Sequence, residues 1–148
     1  MWDIPLLCLT TIPHYTAILP LYRDRRIKKV SNYIYIITSA TTASILWHLY
    51  EEPYGVLLYM DYMLALLWFL YDMRLSFEHN KKHCMTVLWL NSIVFILHSA
   101  ASTHDPSTYA VTHSLWHCAS FVKCFAVSSL IVPLRHVGEF RPHQIIRF

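Results

Sequence analysis

The chain has 148 residues, of which 55% are hydrophobic and only 14% charged, against about 25% charged in ordinary globular domains. A soluble domain of this length with so few charges would expose large apolar patches, so the composition points to lipid. The formal charge of +3 is carried by short loops and does not suggest nucleic-acid binding, and two glycines exclude a glycine-rich phosphate loop.

A helix needs about 20 apolar residues to cross the hydrocarbon core. Five stretches approach that length: Ile4–Leu21, Tyr33–Tyr50, Tyr54–Tyr71, Cys84–Ala101 and Tyr109–Leu134. The reading is an all-α, polytopic transmembrane bundle of about five helices in a single domain, residues 1–148. The first stretch is interrupted by Pro5, Pro13 and Pro20 and carries His14. It reads either as a kinked span or as a segment lying in the interface, with His14 packing beside the prolines. No Lys or Arg precedes it, so it makes a poor signal peptide. Tyr and Trp near several span ends fit the aromatic belts of a bilayer. The four cysteines, Cys8, Cys84, Cys118 and Cys124, lie in apolar stretches without CxxC spacing and read as small apolar fillers.

The loops set orientation. Between the first two spans stand Arg23, Arg25, Arg26, Lys28 and Lys29 against Asp24; after the third come Arg74, Lys81 and Lys82; the tail holds Arg135, Arg141 and Arg147. The intervening loops, with Glu51-Glu52-Pro53 and with His104 and Asp105, have no Lys or Arg. Under the positive-inside rule this alternation places the N-terminus outside and the C-terminus in the cytoplasm. The expected location is a multi-pass protein of an endomembrane or the plasma membrane.

Ionisable residues inside spans are costly and count as functional candidates. The second span holds Ser44 and His48, the third Asp61, and the fifth His113 and His117. Residues four apart share one helix face, so Ser44 sits with His48 and His113 with His117. Given the orientation, all five fall within roughly 12 Å of the outer boundary at 1.5 Å per residue. Three imidazoles plus an open position form the ligand set of a catalytic zinc site, whose bound water ionises near about pH 7. Asp61 would orient that water or take its proton, and Ser44 would bond to the water or to a substrate carbonyl. His98 falls in the same layer, as a substrate or proton contact. His79 and His83 repeat the H-x3-H spacing in a hydrophilic loop and read as exposed side chains. Cys118 should face away from the metal. Trp47, Trp68, Trp89 and Trp116 read as lipid or core contacts.

These residues resemble the membrane hydrolase superfamily of alkaline ceramidases, adiponectin receptors and the transmembrane-protein-8/myomaker branch. Its pattern is S-x3-H on the second helix, Asp on the third and H-x3-H on the last, met here by Ser44, His48, Asp61, His113 and His117. The runs Ile18-Leu19-Pro20 before a basic loop and His113-Ser114-Leu115-Trp116-His117-Cys118 look most like the myomaker branch. The resemblance implies zinc on His48, His113 and His117, with Asp61 and Ser44 around the metal-bound water. It also implies a membrane lipid as partner and hydrolysis of a lipid amide or ester. The alternative is a non-catalytic protein of the myomaker type, for fusion, adhesion or sensing, that keeps a structural metal site. The family has seven helices and this chain room for about five; the two lacking would fall between the third span and the last. A homo-oligomer or another partner would then complete the wall of the lipid pocket.

Overall fold

A computed structural model of the chain describes residues 4–50, 55–79, 81–100 and 105–131. The acidic stretch at 51–53, His104 and the basic residues Arg135, Arg141 and Arg147 lie outside the described residues. The structure is all-helical, with no strand among the described residues. Helix α1 covers Ile4–Thr11, α2 His14–Ala17, a 3-10 helix Leu19–Asp24, α3 Lys28–Tyr50, α4 Val56–His79, α5 Lys81–Ala100 and α6 Pro106–Ile131.

The first span is a broken helix. Pro13 and Pro20 remove amide donors and clash with the preceding turn, so α1 stops at Thr11 and the chain resumes as α2 and the 3-10 helix. The break is packed inward: Leu7, His14, Ala17, Ile18 and Leu21 are buried. The broken helix packs on α3 and α6, and Ile4–Asp24 has the length and apolarity that the kinked-span alternative requires. Gly55, at φ 143°, turns the chain into α4 with a backbone that a Cβ would disfavour. At α6, Asp105 caps the first turn: the Thr108 amide and the Ser107 hydroxyl both donate to its Oδ2, at 2.7 and 2.8 Å. Pro106 follows at the first helical position, where a missing N–H costs nothing.

The long helices extend past the apolar stretches. Helix α3 begins five residues before Tyr33, and α4 runs eight residues beyond Tyr71. Polar turns at a membrane surface stay helical because backbone bonds continue regardless of side-chain polarity. As a consequence His79 ends α4 and His83 lies in α5, so the pair read as a loop sits on two helices.

Three segments, Ile4–Asp24, Val56–Glu78 and Lys82–Ala100, are long and apolar enough to cross a membrane. Helices α3 and α6, at 23 and 26 residues, have the length as well. Their polar residues turn inward: Thr41, Ser44 and His48 on α3, and His113, His117, Ser120 and Lys123 on α6, are all buried. Large apolar side chains point outward instead, among them Tyr35, Leu70, Trp89, Phe95, Val122 and Phe125. A polar inside with an apolar outside is the distribution expected of a bundle in lipid.

The five segments pack as a ring. The first span touches α3 and α6, α3 packs on α4, α4 on α5, and α5 on α6. At one end the ring is filled by an apolar core of Ile18, Leu21, Tyr33, Ile37, Leu75, Val87 and Val127. Toward the other end it holds a cavity of about 590 Å³ whose lining includes the exposed side chains of Leu66 and Ile96. That volume falls within the range of sites that enclose a small ligand, about 300–1,000 Å³.

Candidate metal centre and cavity

Helices α3 and α6 bring three histidines together. His48, His113 and His117 are buried, and each offers a ring nitrogen within 4.8 Å of the other two. The Nε2 atoms of His48 and His117 stand 3.0 Å apart. Ring centroids are separated by 5.0 Å for His48–His113, 5.2 Å for His48–His117 and 4.8 Å for His113–His117. Each pair of rings is steeply inclined, so edges rather than faces meet. The spacing of four on α6 produces half of this arrangement, and Ala43 and Ala40, small and buried on α3, permit close packing of that helix in the bundle.

The donor set suits a metal. Imidazole nitrogens about 2.0–2.1 Å from a tetrahedral zinc lie about 3.3 Å from one another. The 3.0 Å approach of His48 to His117 is close to that value. In addition, His113 Nε2 is fully enclosed and has no hydrogen-bond partner among the described residues. A buried, unpartnered nitrogen costs free energy, which a cation at the centre would offset. The rings are held by an aromatic jacket: Trp47 against His48 at 4.6 Å, Tyr109 against His113 at 4.9 Å, and Trp116 against His113 and His117 at 4.7 and 4.6 Å.

Ser44 and Asp61 line the cavity beside His117. Asp61 is buried and faces Ser44, but neither Ser44 Oγ nor Asp61 Oδ2 completes a hydrogen bond among the described residues. Ser44 is distinctive in its own helix. Thr41 and Thr42 donate to the carbonyls four residues back, at 2.8 and 2.7 Å, the usual solution for a hydroxyl in a membrane helix. Ser44 does not, and its oxygen stays available.

His98 lies on the cavity wall, edge-on to Tyr62 at 5.4 Å and tilted on Trp116 at 5.0 Å, outside the three-histidine group. His14 is also on the wall. Its Nδ1 meets the Thr11 carbonyl at 2.8 Å and its ring stands 6.2 Å from that of His117, so it is a cavity residue as well as a packing one. Cys118 is exposed, on the far side of α6 from the centre, and no disulfide joins the four cysteines. Trp47 and Trp68 are core residues, while Trp89 faces outward.

The sequence reading missed a second polar layer. Lys123 of α6 forms an ion pair with Asp72 of α4 at 2.8 Å, with both side chains almost wholly buried. The Tyr33 hydroxyl donates to Asp72 Oδ1 at 2.8 Å, and the Trp68 indole N–H donates to the Tyr33 oxygen at 3.3 Å. Lys123 also donates to Asn91 Oδ1 at 3.4 Å and sits 3.9 Å from the centre of the Trp68 ring. The polar residues therefore do not gather at one level, as the sequence suggested, but at two. The signal was available: His113, His117, Ser120 and Lys123 recur at spacings of four and three, along one face of α6.

Fold and site together define a class: a helical protein of membrane character whose ring of helices carries a buried three-histidine centre able to bind a metal. Comparison with models of known families, with curated proteins and with solved structures gave no match.

Proposed function

We propose that the protein is a multi-pass membrane hydrolase, zinc-dependent and acting on a lipid amide or ester, of the ceramidase and myomaker type that its motifs resemble. The observation that carries this reading is the convergence of His48, His113 and His117 beside a cavity on whose wall Asp61 and Ser44 face each other, with Ser44 Oγ and Asp61 Oδ2 outside hydrogen-bond geometry among the described residues. A zinc ion held by His48, His113 and His117 would supply Lewis acidity and make water at the site acidic enough to act as a nucleophile near neutral pH. Asp61 is the group that accepts the proton of the attacking water, and Ser44 Oγ donates to the carbonyl oxygen of the substrate. The mostly apolar wall, with Ala40, Ala65 and Phe69, holds the acyl chain.

Orientation follows from charge. The Lys29 ammonium pairs with Glu78, which also accepts from Arg74 at 3.3 Å. The basic start of α3 and the basic end of α4 thus share one end of the bundle, which the positive-inside rule assigns to the cytoplasm. The histidine centre belongs to the opposite, non-cytoplasmic side.

A structural centre without turnover is the second reading, favoured by the aromatic jacket of Trp47, Tyr109 and Trp116 that encloses the rings. The two are separated by assaying release of fatty acid from long-chain amides and esters by zinc-loaded protein in bilayers. Turnover that disappears in Asp61→Ala while zinc stays bound supports the hydrolase. Loss of stability on zinc removal, with no turnover of either substrate type, supports the structural reading.

A further inference from the structure

The buried pair of Lys123 and Asp72 is an expensive way to hold helices together. An apolar pair of similar volume commonly holds them as well or better, and ionisable groups at membrane depth usually serve a pathway or a ligand. Lys123 is also not sealed off: together with Asn91, Trp68 and Ser120 it lines the same cavity that His117, Ser44 and Asp61 line at the other end. The cavity thus has two polar poles about 9 Å apart along α6, with His14 and Ser120 between them.

The ammonium is incompletely satisfied by its protein partners. The ammonium lies 2.8 Å from Asp72 Oδ2 without hydrogen-bond geometry and 3.9 Å from the centre of the Trp68 ring, while its bond to Asn91 Oδ1, at 3.4 Å, is at the long limit for such a contact. Asn91 is itself held by its Nδ2 donating to the Val87 carbonyl at 2.9 Å, so it is not free to close that gap. An oxygen entering from the cavity would take this donor. Asp72 already compensates the charge of Lys123, so a carboxylate or phosphate would bring an unbalanced charge into a buried site. A neutral acceptor would not.

We propose that Lys123, positioned by Asp72 and Asn91, is a second binding subsite that takes a hydroxyl or carbonyl oxygen on the chain of a neutral lipid. Lys123 lies six residues from His117 along α6, which places that oxygen about 9 Å from the carbonyl held at the histidines. The substrate class is then a lipid with two uncharged oxygen functions at that separation, rather than a plain fatty amide or an anionic lipid. This rests on the reading of the cavity as a lipid site, and the following test separates the two.

The probes are the N-methyl amide of stearic acid and the same amide with a hydroxyl on the carbon that lies at the matching distance along the extended chain. Their affinities are measured by titration calorimetry in detergent, for the wild type and for His117→Ala. The hydroxylated amide is expected to bind about ten-fold tighter in both proteins, the gain of one hydrogen bond to a charged donor. The advantage should vanish in the charge-neutral double variant Asp72→Asn/Lys123→Met. A diazirine at the same carbon, photolysed in the wild type, should label Trp68, Asn91 or Lys123; this arm stands whether or not the double variant folds. Equal affinity of the two amides, an advantage that survives in the double variant, or labelling confined to outward-facing residues overturns the subsite. Absence of zinc or turnover with the hydroxyl advantage intact removes the hydrolase reading and supports the subsite. Turnover with no hydroxyl advantage does the reverse.

Discussion

Replacing Lys123 by Met should be far more damaging than replacing both members of its ion pair. The ammonium sits 2.8 Å from Asp72 Oδ2, with side chains 4% and 0% exposed. In Lys123→Met the carboxylate keeps the Tyr33 hydroxyl but loses its counter-charge in a buried setting. Breaking a buried pair in this way costs about 3–5 kcal/mol, whereas a well-packed neutral replacement is often near zero. In Asp72→Asn/Lys123→Met the amide oxygen still accepts from Tyr33 and the Met fills the lysine stem, so the double variant should fall within about 1.5 kcal/mol of the wild type. The implied coupling exceeds the roughly 0.6 kcal/mol typical of neutral side-chain hydrogen bonds between membrane helices. Reversible unfolding in mixed micelles, run as a double-mutant cycle, measures it. A cost below about 1 kcal/mol for Lys123→Met, or a double variant as unstable as the sum of the single changes, would refute the assignment of a tightly buried pair.

Other outcomes follow from the same geometry. Lys29→Ala should change stability by less than about 0.5 kcal/mol, because its partner network with Glu78 and Arg74 is solvated; the same unfolding assay checks it. Ser44→Ala should cost little stability, since its hydroxyl faces Asp61 but completes no hydrogen bond of good geometry among the described residues, while lowering lipid turnover roughly 10–100-fold. Asp105 is held at about 2 by hydrogen bonds from Thr108, side chain and backbone, and then from Ser107. Because this lies below the value of a free carboxyl, the cap is fully effective above about pH 4 and fails as pH falls through about 2. Amide protection at Thr108 and Tyr109 should weaken across that window in the wild type. In Asp105→Asn that pH dependence should disappear.

The helical spans were legible because lipid imposes an apolar run on each. The broken first span was legible in part: its prolines marked the breaks at Thr11 and Ile18, but local sequence holds no information on whether such a segment packs inward. Helix ends were read short, at Tyr33 and Tyr71, because an apolar count stops where polar residues begin and the helix does not. That shortening hid Asp72, which lies one residue beyond the expected end of the third span and 51 positions before its partner Lys123. No local pattern pairs residues so far apart; only the ring of helices brings α4 against α6. The histidines of α6 were readable from their spacing, and His48 from its depth. The Ser44 hydroxyl, which faces Asp61 rather than its own helix, was not readable, since nothing in the local sequence separates it from Thr41 and Thr42.

The most direct test of the account is the metal content of the purified protein and of single histidine variants, measured by elemental analysis after exchange with excess zinc. One ion per chain is expected in the wild type, His14→Ala, His79→Ala and His98→Ala, and none in His48→Ala, His113→Ala or His117→Ala. A wild type without tightly held metal, or full occupancy retained in the His48, His113 and His117 variants, would contradict a centre built from those three side chains.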